Sequence, residues 1–212
     1  MNRHRPIGMA RVVITAVVMA AGFGIMCLVD RPVFRALDWP WAEREDWHRM
    51  LRVMGFVPLW IVAGLAVGLL TRNRDGFHRR SSPAALGMFV ALAPLIAGLV
   101  AEPLKLVFRR ERPDASNLRY VFRSWDTETF STSGLGLPSS HAMVAFAGAT
   151  ALCMVAPRAG LVWVLLALGC GFTRVADRAH WASDVFAAAA FGFVTAWLLG
   201  RIMGVRSGGG SA

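Results

Sequence analysis

The chain is poor in charged residues, which occupy only 17% of its 212 positions. A soluble domain of this size carries about 25% charged residues. Hydrophobic residues reach 56% of the chain, and they occur in long blocks between short polar segments. This pattern excludes an ordinary soluble domain and predicts an integral membrane protein.

Cysteine and metal-binding clusters are scarce as well. The three cysteines, Cys27, Cys153 and Cys170, all lie inside apolar runs and have no metal-site spacing. We interpret them as small buried hydrophobic residues. No cluster of glutamates or cysteines offers a metal site, so the sequence predicts neither a metal nor any other cofactor.

The net charge of +10 comes from 22 arginines and a single lysine, Lys105. Nucleic-acid binding is not expected, because the arginines are scattered between apolar runs without a basic stripe or interleaved aromatic residues. Basic residues that flank apolar runs are typical of topology signals and of contacts with anionic lipids. The expected partner is therefore the lipid bilayer.

Six apolar segments predict an all-α, polytopic membrane protein with six transmembrane helices, because a spanning segment must satisfy its own backbone hydrogen bonds. The third is expected to be entered through Ser81-Ser82-Pro83 and to begin at Pro83, which needs no N–H donor at the first helical position. We expect one membrane domain over residues 1–206 and a flexible tail over 207–212. The predicted spans, of which the fifth is the shortest, are 9–29, 53–71, 83–108, 139–156, 160–174 and 181–204.

The loops predict an orientation. Basic residues are denser on the side that holds both termini and the 72–82 loop, which places the termini in the cytoplasm. On the other side, segment 38–52 carries Trp39, Trp41 and Trp47 and predicts either a short helix in the headgroup region or an interfacial loop. We interpret His48 in that segment as a surface residue.

Three polar segments fall on this second side, at the ends of predicted spans. They read "EPLKLVFRRERPDAS" after span three, "LGLPSSHAMVAF" before span four and "TRVADRAHWASDV" between spans five and six. Charged residues at membrane depth are costly and indicate function. The three segments are therefore predicted to converge on one site.

Two of these segments contain histidines in suggestive positions. His180 and Asp184 are four residues apart, so a carboxylate beside the imidazole leaves one ring nitrogen as nucleophile or base. The alternative is a helix-end salt bridge. Pro138-Ser139-Ser140-His141 opens a helix whose free N–H groups suit a phosphate, and the alternative is a simple helix cap.

The remaining segment supplies cations. Lys105 and Arg112 are seven residues apart and share a helix face if the helix persists to Pro113. Arg109 and Arg110 would lie on other faces and are expected to anchor to lipid headgroups. Cations for phosphoryl oxygens and two histidines are what metal-free phosphoryl transfer requires.

These segments resemble the three-part signature of the type 2 phosphatidic acid phosphatase superfamily, which includes membrane lipid-phosphate phosphatases and vanadium haloperoxidases. That signature reads Lys-x6-Arg-Pro, then Pro-Ser-Gly-His, then Ser-Arg-x5-His-x3-Asp. The chain has "KLVFRRERP", "PSSH" and "TRVADRAHWASD", with Ser140 in place of glycine and Thr173 in place of serine. The resemblance covers about residues 83–200, and it implies a haloperoxidase-like helical core there.

The resemblance implies roles for the matched residues. His180 would attack phosphorus and form a phosphohistidine, Asp184 would orient it, and His141 would protonate the leaving alkoxide and then activate water. The groups expected to bind the phosphoryl oxygens are Lys105, Arg112, Ser139, Ser140 and Arg174.

The function implied is a bacterial lipid phosphatase of the inner membrane, with its site on the periplasmic side. The candidate substrates are an isoprenoid diphosphate, which we rank first, phosphatidylglycerol phosphate, phosphatidate and a lipid A phosphate. Loop 114–137 is expected to shape the choice of headgroup. Two alternatives are a lipid-to-lipid phosphotransferase and a non-catalytic lipid-binding or transport protein.

Overall fold

A computed structural model describes residues 9–37, 39, 41–72 and 82–205. These ranges contain short 3-10 turns, no β-strand and seven α-helices: α1 Met9–Ala36, α2 Asp46–Arg52, α3 Val57–Thr71, α4 Pro83–Phe108, α5 Ser140–Val155, α6 Gly160–Ala176 and α7 Ala182–Ile202. The predicted all-α fold is confirmed. The predicted tail 207–212 and Ser81 lie outside the described residues.

Four helical segments are long and apolar enough to cross a bilayer, namely Val13–Ala36, Pro83–Phe108, Pro157–Ala176 and Ala182–Ile202. The fifth predicted span is thus longer than expected, because a turn at residues 157–159 precedes α6. Residues 46–55 and 57–71 count as one further span only as a pair bent by 74°. The helix Ser140–Val155 is apolar but has only 16 residues. The number six therefore stays a prediction, while the polytopic membrane fold is confirmed.

The first helix and the tryptophan-rich segment differ from expectation. Helix α1 continues beyond residue 29 to Ala36, and most of its described side chains face outwards. The short helix of segment 38–52 is α2, which packs against α6. Its tryptophan Trp47 is exposed, but His48 is only 1% exposed, so its interpretation as a surface residue was wrong.

Helix α5 lies at the centre of the bundle and contacts α4, α6 and α7. Its buried face is built mostly from alanines and Gly148, so neighbouring backbones approach closely. On the outside, α3 packs against α4, and α1 packs against α7. Because consecutive long helices alternate in direction, the ends that hold the three polar segments meet at one end of the bundle.

The long connection between α4 and α5 is organised around Arg109. This residue ends α4 in the left-handed conformation, with φ of 53°, and its guanidinium is buried. It donates hydrogen bonds of 2.5 to 3.3 Å to the carbonyl oxygens of Arg123, Ser124, Thr127 and Thr129. The expectation that Arg109 anchors to headgroups was therefore wrong, because its guanidinium makes four hydrogen bonds to carbonyl oxygens of this loop.

The contact between α3 and α4 depends on two facing glycines. A Cβ atom at Gly64 would lie 2.5 Å from the carbonyl oxygen of Gly87 and 2.9 Å from Cβ of Ala91. We expect Gly64→Ala to lower the free energy of unfolding by about 1–3 kcal/mol, because backbone atoms cannot yield as a side chain can. Thermal unfolding of the detergent-purified protein measures this effect.

Gly24→Ala is the matched control, since a Cβ atom at Gly24 in α1 would have no neighbour within 4 Å. It should melt at the wild-type temperature or slightly above it. Equal melting temperatures for Gly64→Ala and Gly24→Ala would contradict the close α3–α4 contact.

Candidate active site

Four helix ends supply the side chains of the site. Lys105 lies in the last turn of α4, and Arg174 lies in the last turn of α6. Helix α5 begins at Ser140, immediately before His141, and Asp184 lies in the first turn of α7. The Ser139 N–H points to the Asp184 carbonyl oxygen at 3.4 Å, which joins the second and third polar segments directly.

His180, which lies between α6 and α7, is fixed by a backbone carbonyl. Its Nδ1 lies 2.9 Å from the carbonyl oxygen of Gly136 and 3.8 Å from Oδ2 of Asp184. A carbonyl can only accept a hydrogen bond, so Nδ1 carries the hydrogen and Nε2 of the neutral ring carries a lone pair. Asp184 therefore acts on His180 through its charge, and Gly136 in loop 114–137 sets the tautomer.

The surroundings of His180 keep its ring uncharged. Burial is the largest effect and lowers the pKa of His180 below its usual value, and the positive charges of Arg174 and Arg112 act in the same direction. The negative charge of Asp184 opposes this shift without reversing it. The ring is thus neutral at pH 7.

Asp184 is held from two sides. Its Oδ1 accepts hydrogen bonds from the Arg110 guanidinium, from Nε at 3.0 Å and also from Nη2. Its Oδ2 accepts the backbone N–H of Trp181 at 2.9 Å. Arg110 is 2% exposed, so its expected role as a headgroup anchor was wrong. It is the buried counter-ion of Asp184.

Lys105 and Ser140 share one acceptor, Glu102. The Glu102 Oε1 atom accepts from Nζ of Lys105 at 2.9 Å and from Oγ of Ser140 at 2.8 Å. The serine that replaces the glycine of the family signature thus has a partner in the last turns of α4. Glu102 therefore ties the first polar segment to the second.

Arg174 is paired in a second charged cluster. Its Nη1 donates to Oδ2 of Asp177 at 2.7 Å, and Oδ1 of Asp177 lies 2.7 Å from Nε2 of His48 in α2. Two buried donors beside this cluster, Nε of Arg174 and Oγ of Ser139, have no partner among the described atoms. An unpartnered buried donor costs about 1–3 kcal/mol, which a bound anion would offset.

Arg112 reaches the site without a helix. Helix α4 ends at Phe108, so the expected helical face shared by Lys105 and Arg112 was wrong. Arg112 instead lies on an extended segment and donates its backbone N–H to the carbonyl oxygen of Gly134 at 2.9 Å. Its charge still acts on both His180 and Arg174.

His141 is half-buried in the first turn of α5, in the field of several charged groups. The positive charges that act most strongly on His141 are those of Arg174, Arg52 and Lys105. Gly55 backs its main chain so closely that a Cβ atom there would lie 2.7 Å from Cβ of His141. Within the described ranges, no group of three or more histidine, cysteine, aspartate or glutamate side chains is arranged to hold a metal ion.

Comparison with known families decides the class. The family model of the PAP2 superfamily matches residues 85–207, which is more than half of the chain. The chain belongs to the PAP2 superfamily. The match spans α4 to α7, and with them all the residues of the three-part signature.

Individual PAP2 relatives agree with this assignment. A lipid A 1-phosphatase of Rhizobium etli is 31% identical over 177 residues, which cover 79% of this chain and 74% of the relative. A lipid A 1-phosphatase of Rhizobium johnstonii is 32% identical over 125 residues, 58% of this chain and half of the relative's own length. The chain is thus related to membrane enzymes that remove phosphate from lipids.

A solved structure gives the same fold. The transmembrane PAP2 type phosphatidylglycerolphosphate phosphatase of Bacillus subtilis superposes with a TM-score of 0.60 over 88% of this chain and 94% of that one. The sequence identity is 18%, so this likeness concerns the fold.

Asp177 is expected to hold the PAP2 arginine Arg174 in place. Asp177→Asn keeps one acceptor but removes the charge, and hydrogen bonds between charged groups contribute about 1.5–3 kcal/mol. We expect kcat/KM for phosphate release from a lipid phosphate to fall by about tenfold or more. The control is Asp46→Asn, because Asp46 is an exposed residue whose surface contact with Arg49 is 3.5 Å. Equal losses in both variants would contradict a specific role for Asp177.

The neutral state of His180 predicts how stability depends on pH. A group whose pKa is lower in the folded than in the unfolded protein gives stability above its unfolded pKa and loses it as pH falls. We therefore expect the melting temperature of the wild type, relative to His180→Gln, to decrease between about pH 7 and pH 5. His180→Gln lacks the titrating ring and so reports all other groups. A difference that grows in favour of the wild type in acid would show that His180 is charged in the folded protein.

Proposed function

We propose that this chain is a membrane lipid phosphatase that transfers the phosphoryl group of a lipid phosphate or diphosphate first to His180 and then to water. The observation that carries the proposal is the buried neutral imidazole of His180, fixed through Nδ1 by Gly136 in the electrostatic field of Arg174 and Arg112. Such a ring offers Nε2 as a nucleophile to an anion held by the arginines.

The phosphate would be held by charged and dipolar groups. Lys105, Arg112 and Arg174 supply the positive charges, and the buried Oγ of Ser139 lacks a partner that a phosphate oxygen would provide. The first turn of α5, from Ser140 onwards, adds backbone N–H groups without intrahelical partners. These donors stabilise the charge that spreads over the equatorial oxygens in the transition state.

In the first step, the Nε2 lone pair of His180 attacks phosphorus, and the bond from phosphorus to the lipid oxygen breaks. His141 gives its proton to the departing alkoxide, which leaves as the lipid alcohol, or as the lipid phosphate when the substrate is a diphosphate. The phosphorylated ring keeps its hydrogen on Nδ1 and becomes positively charged. The Gly136 carbonyl and the Asp184 carboxylate at 3.8 Å stabilise that charge.

In the second step, His141, now neutral, takes a proton from water while the water oxygen attacks phosphorus. The bond from phosphorus to Nε2 breaks, inorganic phosphate leaves, and His180 returns to its neutral form. No step needs a metal ion, so metal independence is part of this proposal.

The relatives favour one substrate over the others. Two proteins named lipid A 1-phosphatase match this chain at 31% and 32% identity. We therefore place a lipid A phosphate ahead of the isoprenoid diphosphate that we ranked first from the sequence. Phosphatidylglycerol phosphate is the next candidate, and phosphatidate serves as a general probe.

The density of arginines supports a site outside the cytoplasm. The loops on the side of the termini are short and basic, whereas the site lies at the opposite end of the bundle. In a bacterial inner membrane this end faces the periplasm. The acyl chains of the substrate would lie against the apolar helices while its phosphate enters the cluster of cations.

The test is phosphate release from lipid A, an isoprenoid diphosphate, phosphatidylglycerol phosphate and phosphatidate by the detergent-purified protein. We expect release that persists with a chelator and stops with vanadate. His180→Gln should abolish it, and His141→Gln should lower kcat by about 10² to 10⁴-fold, the usual contribution of general acid–base catalysis. His78→Gln, a histidine outside the three motifs, is the control.

A covalent intermediate separates this proposal from its alternatives. With an aryl phosphate, whose leaving group needs no proton, His141→Gln should accumulate an acid-labile phosphoenzyme that His180→Gln cannot form. A phosphorylated lipid acceptor in place of free phosphate would identify a phosphotransferase. Unchanged function in His180→Gln would identify a lipid-binding or transport protein.

A further inference from the structure

A buried polar network links the first helix to Asp184. Asp30 lies in α1, a helix that otherwise faces outwards, yet it is only 1% exposed. Its Oδ1 accepts the backbone N–H of Ser183 at 2.8 Å, and its Oδ2 accepts the Tyr120 hydroxyl at 2.9 Å. A carboxylate buried at membrane depth is costly unless it accepts hydrogen bonds, so the buried position of Asp30 depends on these contacts.

The network continues from Asp30 to Arg110 through Ser183. The Ser183 hydroxyl donates its proton to Oδ2 of Asp30, so its oxygen is free to accept from Nη2 of Arg110 at 2.8 Å. The Arg110 guanidinium also lies over the ring of Tyr120, 5.1 Å from its centroid. Asp30, Ser183 and Tyr120 therefore fix the guanidinium that binds Asp184.

We propose that Arg110 is a positioning residue of the site: it keeps the Asp184 carboxylate from bonding directly to His180, and Asp30 of the first helix holds Arg110 in place. This inference rests on the proposed function, in which His180 is the nucleophile. It adds two residues that the three-part signature does not contain.

The geometry explains how Arg110 acts. Both oxygens of Asp184 are occupied, one by the Arg110 guanidinium and the other by the Trp181 N–H. The distance of 3.8 Å from Oδ2 to Nδ1 of His180 is too long for a hydrogen bond. Without Arg110, the uncompensated carboxylate would approach the Nδ1–H group and make the ring more basic.

A more basic ring would be protonated at higher pH and lost as a nucleophile. The charged and titratable groups that act on His180 are Asp184, Arg174, Arg112 and His141, with Arg110 acting through Asp184. Of these, Asp184 alone favours the charged ring. The control of Asp184 by Arg110 therefore sets the pH below which activity falls.

The experiment measures kcat, KM and the acidic limb of the pH profile of kcat/KM for phosphate release from dioctanoyl phosphatidate in detergent. Arg110→Gln should lower kcat by about 100-fold, the size of effect that small misplacements produce, with little change in KM. Its acidic limb should shift to higher pH. Arg110→Lys, which keeps the charge, should recover part of the rate, and Asp30→Asn should cause a smaller shift in the same direction.

Two controls separate positioning from general stabilisation. Gly64→Ala disturbs the contact between α3 and α4 and leaves the network around Asp184 intact, so it should lower the melting temperature without moving the acidic limb. In the Asp184→Asn background, Arg110→Gln should change kcat/KM by less than about threefold, because the two residues act as one unit.

The outcomes are distinguishable. If the wild type releases no phosphate from any lipid tested, the proposed function fails and this inference fails with it. If the wild type is active but the Arg110 and Asp184 effects multiply independently, or Arg110→Gln lowers the melting temperature without moving the acidic limb, as Gly64→Ala does, this inference alone is overturned. Should Arg110→Gln not fold, an acidic limb that stays at the wild-type pH in both Arg110→Lys and Asp30→Asn would overturn it.

Discussion

The cost of burying charge at the end of an apolar bundle governs this active site. An ionised group taken out of water is stable only when an opposite charge or several hydrogen bonds compensate it. Three charged residues of the site have such a partner: Asp184 has Arg110, Lys105 has Glu102, and Arg174 has Asp177. The pairs are also what orients the groups, because a paired side chain in a packed interior has a single low-energy position.

The same constraint divides the polar groups of the site into those whose hydrogen bonds are complete and those that lack a protein partner among the described atoms. Asp184 has both oxygens occupied by protein donors. By contrast, Oγ of Ser139 and Nε of Arg174 are buried without partners among the described atoms. Unpaired donors beside buried positive charge favour an anion over a neutral ligand. In the proposed function these two donors would bind phosphate oxygens, which makes them the proposed source of selectivity for phosphate.

Much of the fold followed from the sequence because hydropathy reports membrane helices directly, and Ser82 caps α4 where the Ser-Ser-Pro segment predicted a helix start. The residues that support the site did not follow, because their partners are distant in sequence: Arg110 meets Asp184 across 74 positions, and Asp30 meets Ser183 across 153. No local period encodes such pairs. Two signals were nonetheless present in the sequence. Glu102 lies three positions before Lys105, and Asp30 is a lone aspartate at the end of an apolar run.

Arg110 and Arg112 show why a prediction from helical spacing alone was wrong beyond the end of α4. A chain leaving a helix in the left-handed conformation at Arg109 changes direction, so positions that would share a face on a continued helix point to different partners. The turn sends Arg110 into the bundle towards Asp184, and it places Arg112 on an extended segment beside Gly134. Through the same segment the loop aligns Gly136, whose N–H binds the Arg110 carbonyl at 2.7 Å and whose own carbonyl fixes His180. One main-chain turn after α4 therefore couples the counter-ion of Asp184, the position of Arg112 and the tautomer of His180.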